Sequence, residues 1–212
     1  MRLTDRIKIA STTLGISMEQ ATTDRVSVFG GEVFLTVQDK ASGRILEKRH
    51  LKNLVVKDAS ILVARLLRDN QEPTHGAFVL GVGSGDASWD PMNPPAPTLT
   101  QRSLYGEITR KLFAQKQFVN DVGVPVGYPT NVVDYTCTFS ESEAVGPLVE
   151  MGIIGGNISS NMSVRNPVLP PNGTYDPTVD LTQYETLVNY LTFKVVNKPP
   201  TATFTVTWRL TH

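Results

Sequence analysis

The run GVGSGD at positions 81–86 holds three glycines in six residues. A glycine-rich turn can cradle a phosphate on its backbone N–H groups. This one lacks the rest of that chemistry. Asp86 stands at the third glycine position of the dinucleotide fingerprint, no Gly-Lys-Ser/Thr follows, and a proline-rich stretch rather than a helix comes next. Gly81, Gly83 and Gly85 therefore read as a tight turn at a strand end. Ser84 is no nucleophile elbow, because Val82 occupies the place of the leading glycine. His50, His75 and His212 lie far apart, none at metal spacing from another His or Cys. Glu141, Glu143 and Glu150 cluster around a turn between two strands. A carboxylate pair at the right separation hydrolyses glycosides, but any β protein offers such pairs, and these read as solvated or turn-stabilising acids. Asp86, Asp90 and Asn93 lack the order of an EF-hand and its bidentate Glu. No catalytic residue, cofactor or metal ligand is expected, and the chain reads as non-enzymatic.

The remaining conspicuous side chains read as packing or contact groups. Cys137 shares a strand face with Tyr135 and Phe139, which makes it a small buried apolar group rather than a nucleophile. Phe204, Val206 and Trp208 share the inward face of the last strand and are expected in the core. Trp89 lies in a polar, Pro-rich loop, where it either packs beneath that loop or anchors a contact with another chain. Val168, Leu169 and Tyr175 are apolar groups in an otherwise polar stretch, and they join Trp89 as candidate interface residues. Tyr128, Tyr175 and Tyr184, with Trp89, are the aromatics a sugar-binding groove would use. Sequons at Asn157, Asn161 and Asn172 matter only in a secretory pathway, and the N-terminal residues lack the apolar core of a signal peptide.

The elements that must position these residues are mostly strands. Residues 1–25 are polar and rich in Thr and Ser, and read as an arm. A β pattern starts at Arg25, is expected to break at Gly30-Gly31, and resumes with Val33, Leu35 and Val37, Phe34 being the exception. The turn residues at 39–43 make this a hairpin with the strand at 44–51. One helix follows, with Asp58 as its expected N-cap, Ala59, Leu62, Val63 and Leu66 on one face and Asn70 as its stop. It should lie as a lid on a β core. Residues 77–83 read as a buried strand and 86–97 as a loop. The stretch 98–119 is ambiguous: Leu104, Ile108 and Leu112 fit a helix, while 113–118 fit the start of a strand. Residues 133–139 and 149–154 are strands. The stretch 157–183 carries four prolines and reads as a surface insertion. Leu187, Leu191, Phe193 and Val195 then alternate, with Asn189 as an exception. From Ala202 to Leu210 alternation is uninterrupted, so one face is buried and one polar. The expected fold is mainly β: an antiparallel β-sandwich with one packed α-helix, a single domain over 26–212 with an N-terminal arm and the 157–183 insertion.

Composition fits that reading. The 212 residues are 40 % apolar, and 16 glycines raise this to about 48 %, an ordinary globular value. Twenty basic residues balance 20 acidic ones, whereas a protein living on phosphate neutralisation is usually basic, so no nucleic-acid partner is expected. A single cysteine excludes an internal disulfide framework. No apolar run reaches the ~18 residues of a helical membrane span, so no membrane partner is expected.

Several motifs, in order, resemble a family of tailed-bacteriophage structural proteins described as tail-fibre, collar or baseplate-associated. Asn53-Leu54-Val55-Val56 followed by a helix carrying Ala64-Arg65-Leu66-Leu67 is similar to the family's opening segment. Leu80, Gly81 and Gly83 resemble its strand ending in Leu-Gly-x-Gly. Glu107 and Arg110 fit its acid and arginine three residues apart. Thr136 to Phe139, then Glu143-Ala144, Gly146 and Glu150-Met151-Gly152-Ile153, resemble its Thr-Phe, Glu-Ala-x-Gly and Glu-x-Gly runs. Phe204 to Thr211 resembles its closing strand. The likeness spans about residues 50–211, while the insertion and the N-terminal extension depart from the family's compact form. It implies a neutral, disulfide-free virion protein assembled in the host bacterial cytoplasm, a symmetric homo-oligomer contacting other virion proteins through arm and loops. The alternatives are a capsid decoration protein clamped on a shell, or a host-receptor module binding a surface glycan.

Overall fold

The computed structural model describes residues 30–68, 75–158 and 185–212. The arm at 1–25, the stop at Asn70, Tyr184 and all of the insertion beyond Ile158, with Val168, Leu169 and Tyr175, lie outside the described residues. Two five-stranded antiparallel sheets pack face to face with one helix. Sheet A has the order β2-β1-β10-β7-β6, from β1 (Gly30–Asp39), β2 (Ile45–Lys52), β6 (Gln115–Phe118), β7 (Val132–Phe139) and β10 (Ala202–Thr211). Sheet B has the order β3-β9-β8-β4-β5, from β3 (Leu54–Val55), β4 (His75–Gly83), β5 (Glu107–Leu112), β8 (Gly146–Gly156) and β9 (Glu185–Lys198). The helix α1 (Lys57–Arg68) packs on β9.

Sheet A obeys simple alternation. In β10, Ala202, Phe204, Val206, Trp208 and Leu210 are buried, and Thr203, Thr205, Thr207 and Arg209 face outward. Its neighbours match it in register: Trp208 lies opposite Val33 on β1 and Tyr135 on β7. Val33, Leu35, Val37, Cys137 and Phe139 join the same core. The outer face carries paired threonines, Thr136 with Thr207 and Thr138 with Thr205. Phe34, out of step with the apolar alternation, faces outward there. Its ring stacks on His50 at 4.4 Å, and the Arg209 guanidinium lies 5.5 Å from its centre. The Arg209 fork is held by both oxygens of Asp134.

Four expectations change. Gly30 and Gly31 are themselves strand residues of β1, residues 25–29 lying outside the described residues, and a Cβ on Gly31 would collide with the Asn53 side chain. Asp58 is not the N-cap but lies inside the first turn of α1, where a carboxylate favours the positive end of the helix dipole. Residues 107–118 form no helix. They are β5 and β6, one run that bends at Phe113 from sheet B into sheet A, with the Phe113 ring against Tyr135 at 5.3 Å. In β9 the buried residue after Phe193 is Val196, not Val195, where the ladder is irregular between the pairs Leu148–Val196 and Glu150–Thr192. Arg49 of β2 donates to the carbonyls of Lys194 and Val195 at this irregularity.

The core generates two predictions. Trp208 has no solvent exposure, and its indole N–H has no partner among the described residues. Trp208→Ala should cost roughly 3–5 kcal/mol in chemical denaturation. Trp208→Phe should cost clearly less, since it also removes the unpaired N–H. The Cys137 thiol is pushed up to about 12, chiefly by burial. It should therefore resist a thiol-disulfide reagent at pH 8 in the native protein and react fully in denaturant; reaction at the native rate of an exposed thiol would contradict this placement.

Candidate functional site

The chemistry-bearing residues gather on the outer face of sheet B. Gly81 and Gly83 of β4 and Gly152 of β8 leave a trough in that face. A Cβ on Gly152 would lie 2.7 Å from Leu187 and 3.1 Å from Leu104; one on Gly83 would lie 2.5 Å from Glu150 Oε1. Into this trough sinks the segment 98–106, with Gln101, Arg102, Ser103 and Leu104 buried. Leu104 packs there with Val79, Ile154, Leu187 and Tyr190. This explains the ambiguity of the segment: it is irregular backbone buried under tertiary contacts, so it has no period.

Glu150, in the middle of β8, has no solvent exposure. Burial of an acid is costly unless its oxygens are satisfied, and here they are. Oε1 accepts the N–H of Gly85 at 3.2 Å and of Gly106 at 2.7 Å. Oε2 accepts the N–H of Tyr105 at 3.1 Å and the Tyr190 hydroxyl at 2.5 Å. Burial first, and Glu150 second, hold the Tyr190 hydroxyl far above its ordinary pKa, so it stays a donor. The N–H of Ser84 reaches the Gly106 carbonyl at 2.9 Å, and Gly85 adopts φ +72°, a left-handed conformation that favours glycine. Glu150 is thus neither solvated nor a turn stabiliser, correcting the sequence reading. It ties the glycine loop at 83–85 to the end of the 98–106 segment.

A second buried polar group lies beside it. Arg110 donates from Nε and Nη2 to both oxygens of Glu107, at 2.5 and 2.7 Å, and from Nη1 to Glu185 at 2.6 Å. Burial works against the guanidinium charge, but the two carboxylates outweigh it and raise its pKa. Arg102 Nη2 lies 3.4 Å from Asp58 on α1, and the N–H of Lys57 reaches the Leu99 carbonyl. The cavity among Arg102, Leu104, Glu107, Arg110 and Glu185 is about 10 Å³, no more than one water needs.

Chemically this arrangement clamps backbone. Four donors occupy Glu150, and three guanidinium N–H groups of Arg110 are engaged by carboxylates, so neither is poised to move a proton at a substrate. The other acids are dispersed. Glu143 holds Lys111 at 2.5 Å and the Ser140 N–H at 2.7 Å, which lower its pKa. Glu141 gives its carbonyl to buried Lys198. Asp86 and Asp90 cap their own turns through Ser88 and Met92. Among the described residues no three His, Cys, Asp or Glu could hold a metal, and no helix is long and apolar enough to cross a membrane. Trp89 is half-buried with its ring edge-on to Tyr105 at 4.7 Å, so it packs within its own chain. The sequence matches no protein-family model and no curated protein.

The clamp makes a graded prediction. Glu150→Gln exchanges one acceptor oxygen for a donor facing other donors, and should cost roughly 2–4 kcal/mol of stability. Tyr190→Phe removes one of four bonds and should cost about 1–3 kcal/mol. Urea denaturation of both variants checks the order; a neutral Glu150→Gln would mean that the carboxylate is not what holds the segment.

Proposed function

We propose that the protein is a non-enzymatic structural subunit of a tailed-phage virion, a component of the tail, collar or baseplate that assembles through its arm and loops. One observation carries this reading. Six of the residues by which the chain resembles that family (Gly81, Gly83, Glu107, Arg110, Glu150 and Gly152) are spread from position 81 to 152, yet they meet at two adjacent buried polar groups, the Glu150 clamp and the Arg110 ion pairs. A shared pattern made of glycine floors, a buried acid and a buried arginine is the pattern of a scaffold. A hydrolytic family would share groups that open onto a cleft instead.

The topology supports a second part of the reading. Gly156 pairs with Glu185, so the strands on either side of residues 159–184 are hydrogen-bonded up to the point where that segment leaves and returns. Both five-stranded sheets are assembled from residues outside that segment. Replacing 160–180 by a short Gly/Ser linker should leave the melting transition of the isolated chain within a few degrees of the native one, because closing a shorter loop costs no more entropy. The same variant should fail to enter particles. Quantitative mass spectrometry of purified particles should find the native chain at a fixed copy number. A chain found only in the soluble fraction of infected cells would refute the virion assignment. A loop-deleted form that assembles but yields non-adsorbing particles would move the loop to host binding.

A further inference from the structure

We infer that copies of this chain associate head to tail, a rigid apolar tip after β6 entering a proline-walled groove at the opposite edge of a second copy. The tip is the connection between β6 and β7. Val122, Val124 and Tyr128 there are 81 %, 53 % and 61 % exposed. Single exposed apolar residues need no explanation, but three on one short loop, flanked by half-covered Phe118, form a patch. The turn that carries Val122 and Val124 is also built to keep its shape. Asn120 Oδ1 accepts the N–H groups of Val122 and Val124, the Asn120 N–H reaches the Val124 carbonyl, and Gly123 closes the turn at φ +81°. A patch held rigid before it meets a partner loses less freedom on binding.

The groove lies across the sandwich. Lys52 at the end of β2, Leu54 of β3 and the extended run Pro94-Pro95-Ala96-Pro97 line an open depression of about 670 Å³. The proline wall is fixed to β9 by the Thr192 hydroxyl on the Pro95 carbonyl, at 2.7 Å, and by the Val195 N–H on the Pro91 carbonyl. Rigid proline faces and tyrosine rings are a recurring recognition pair, and Tyr128 is the tip's exposed ring.

Position and charge select a second copy as the occupant. Tip and groove lie at the same end of sheet A, since Thr211 pairs with both Gly30 and Val132 while Lys52 pairs with Glu32. They lie at opposite edges, β6 and β2. The tip carries Asp121 and the groove Lys52, and neither is ion-paired among the described residues. A tip meeting a tip would set Asp121 against Asp121; a tip meeting the groove sets it against Lys52. Such a contact is heterologous, so it propagates side by side and closes into a ring or runs on as a filament. This inference does not rest on the virion reading.

Sedimentation velocity on the purified full chain tests it. The native chain should grow in mass with concentration. Val122→Asp with Tyr128→Ser in the tip, or Ala96→Arg in the groove, should each weaken association by about tenfold or more. All are surface changes, so circular dichroism should be unaltered. Mixing the tip variant with the groove variant should give a heterodimer and nothing larger, because only one tip and one groove remain competent. Asp121→Lys and Lys52→Asp should each weaken association, and together in one chain restore it. A native chain that stays monomeric at every concentration reached overturns the proposal, as do tip variants that associate like the native chain. Normal self-association by a tip variant that no longer enters particles would assign the tip to a different protein and equally overturn it.

Discussion

A carboxylate with no access to water, accepting three backbone N–H groups and one phenol, is the interaction on which the rest of this fold depends. Glu150 costs free energy to bury and is held only because each oxygen has two donors. The phenol is Tyr190 of β9, and the three backbone donors come from two stretches, the loop after β4 and the end of the 98–106 segment. Ordering about 20 residues between them costs roughly 1–2 kcal/mol each in backbone entropy. No regular ladder offsets that cost, so tertiary pins must. Leu104 in the glycine trough, Arg102 on Asp58, and the bonds from Thr192 and Val195 to the proline run are those pins. A charged acceptor satisfied by neutral donors is the strongest of them, since hydrogen bonds to charge contribute ~1.5–3 kcal/mol against about 1 for neutral pairs.

This explains why the two sheets differ. Sheet A shows its outer face to solvent, and its strands alternate. Sheet B is covered on both faces, by sheet A within and by the 98–106 segment and α1 without. Nine consecutive residues of β8, Leu148 to Gly156, are therefore buried. A strand buried on both faces loses the period-2 signal and must take small residues wherever backbone crosses it closely. Gly81, Gly83 and Gly152 satisfy that demand, and the same demand fixes the Leu-Gly-x-Gly and Glu-x-Gly spacing.

Legibility in the sequence follows the same division. The last strand is readable residue by residue, because its pattern records one wet face and one dry face. The β1–β2 hairpin is readable for the same reason, apart from Gly31, whose cause is a side chain 22 positions away. In β5 the pattern misleads, because Ile108 and Leu112 are exposed and Arg110 is buried. In β9 the two irregularities shift the buried set, so Val196 replaces Val195. The clamp itself was half legible. An acid inside the run Leu148-Val149-Glu150-Met151-Gly152-Ile153 is a signal of a buried carboxylate needing donors. Its donors are mostly backbone N–H groups, which no residue type announces. A spacing of three from Glu107 to Arg110 would put them on opposite faces of a regular strand. The irregularity at Ile108 returns both to one face, opposite Gly83 and Gly81, and only then can the acid reach both guanidinium nitrogens.

That irregularity also lets Arg110 tie the sheet across its width. Arg110 sits on β5, the edge strand, yet its remaining nitrogen holds Glu185, the first residue of β9, with β4 and β8 between the two in the strand order. Glu185 is where the chain re-enters the sandwich after residue 184. The point of re-entry is thus fixed twice, by its ladder pairing with Gly156 and by an ion pair anchored on the opposite side of the sheet. Breaking a buried pair leaves an uncompensated charge, which costs more than the pair contributes. Arg110 and Glu107 thus tie Glu185 to β5, whose neighbour β4 carries Gly83 beside Glu150. The two buried polar groups brace one sheet, the acid securing its cover and the arginine tying its edge strand β5 to the start of β9.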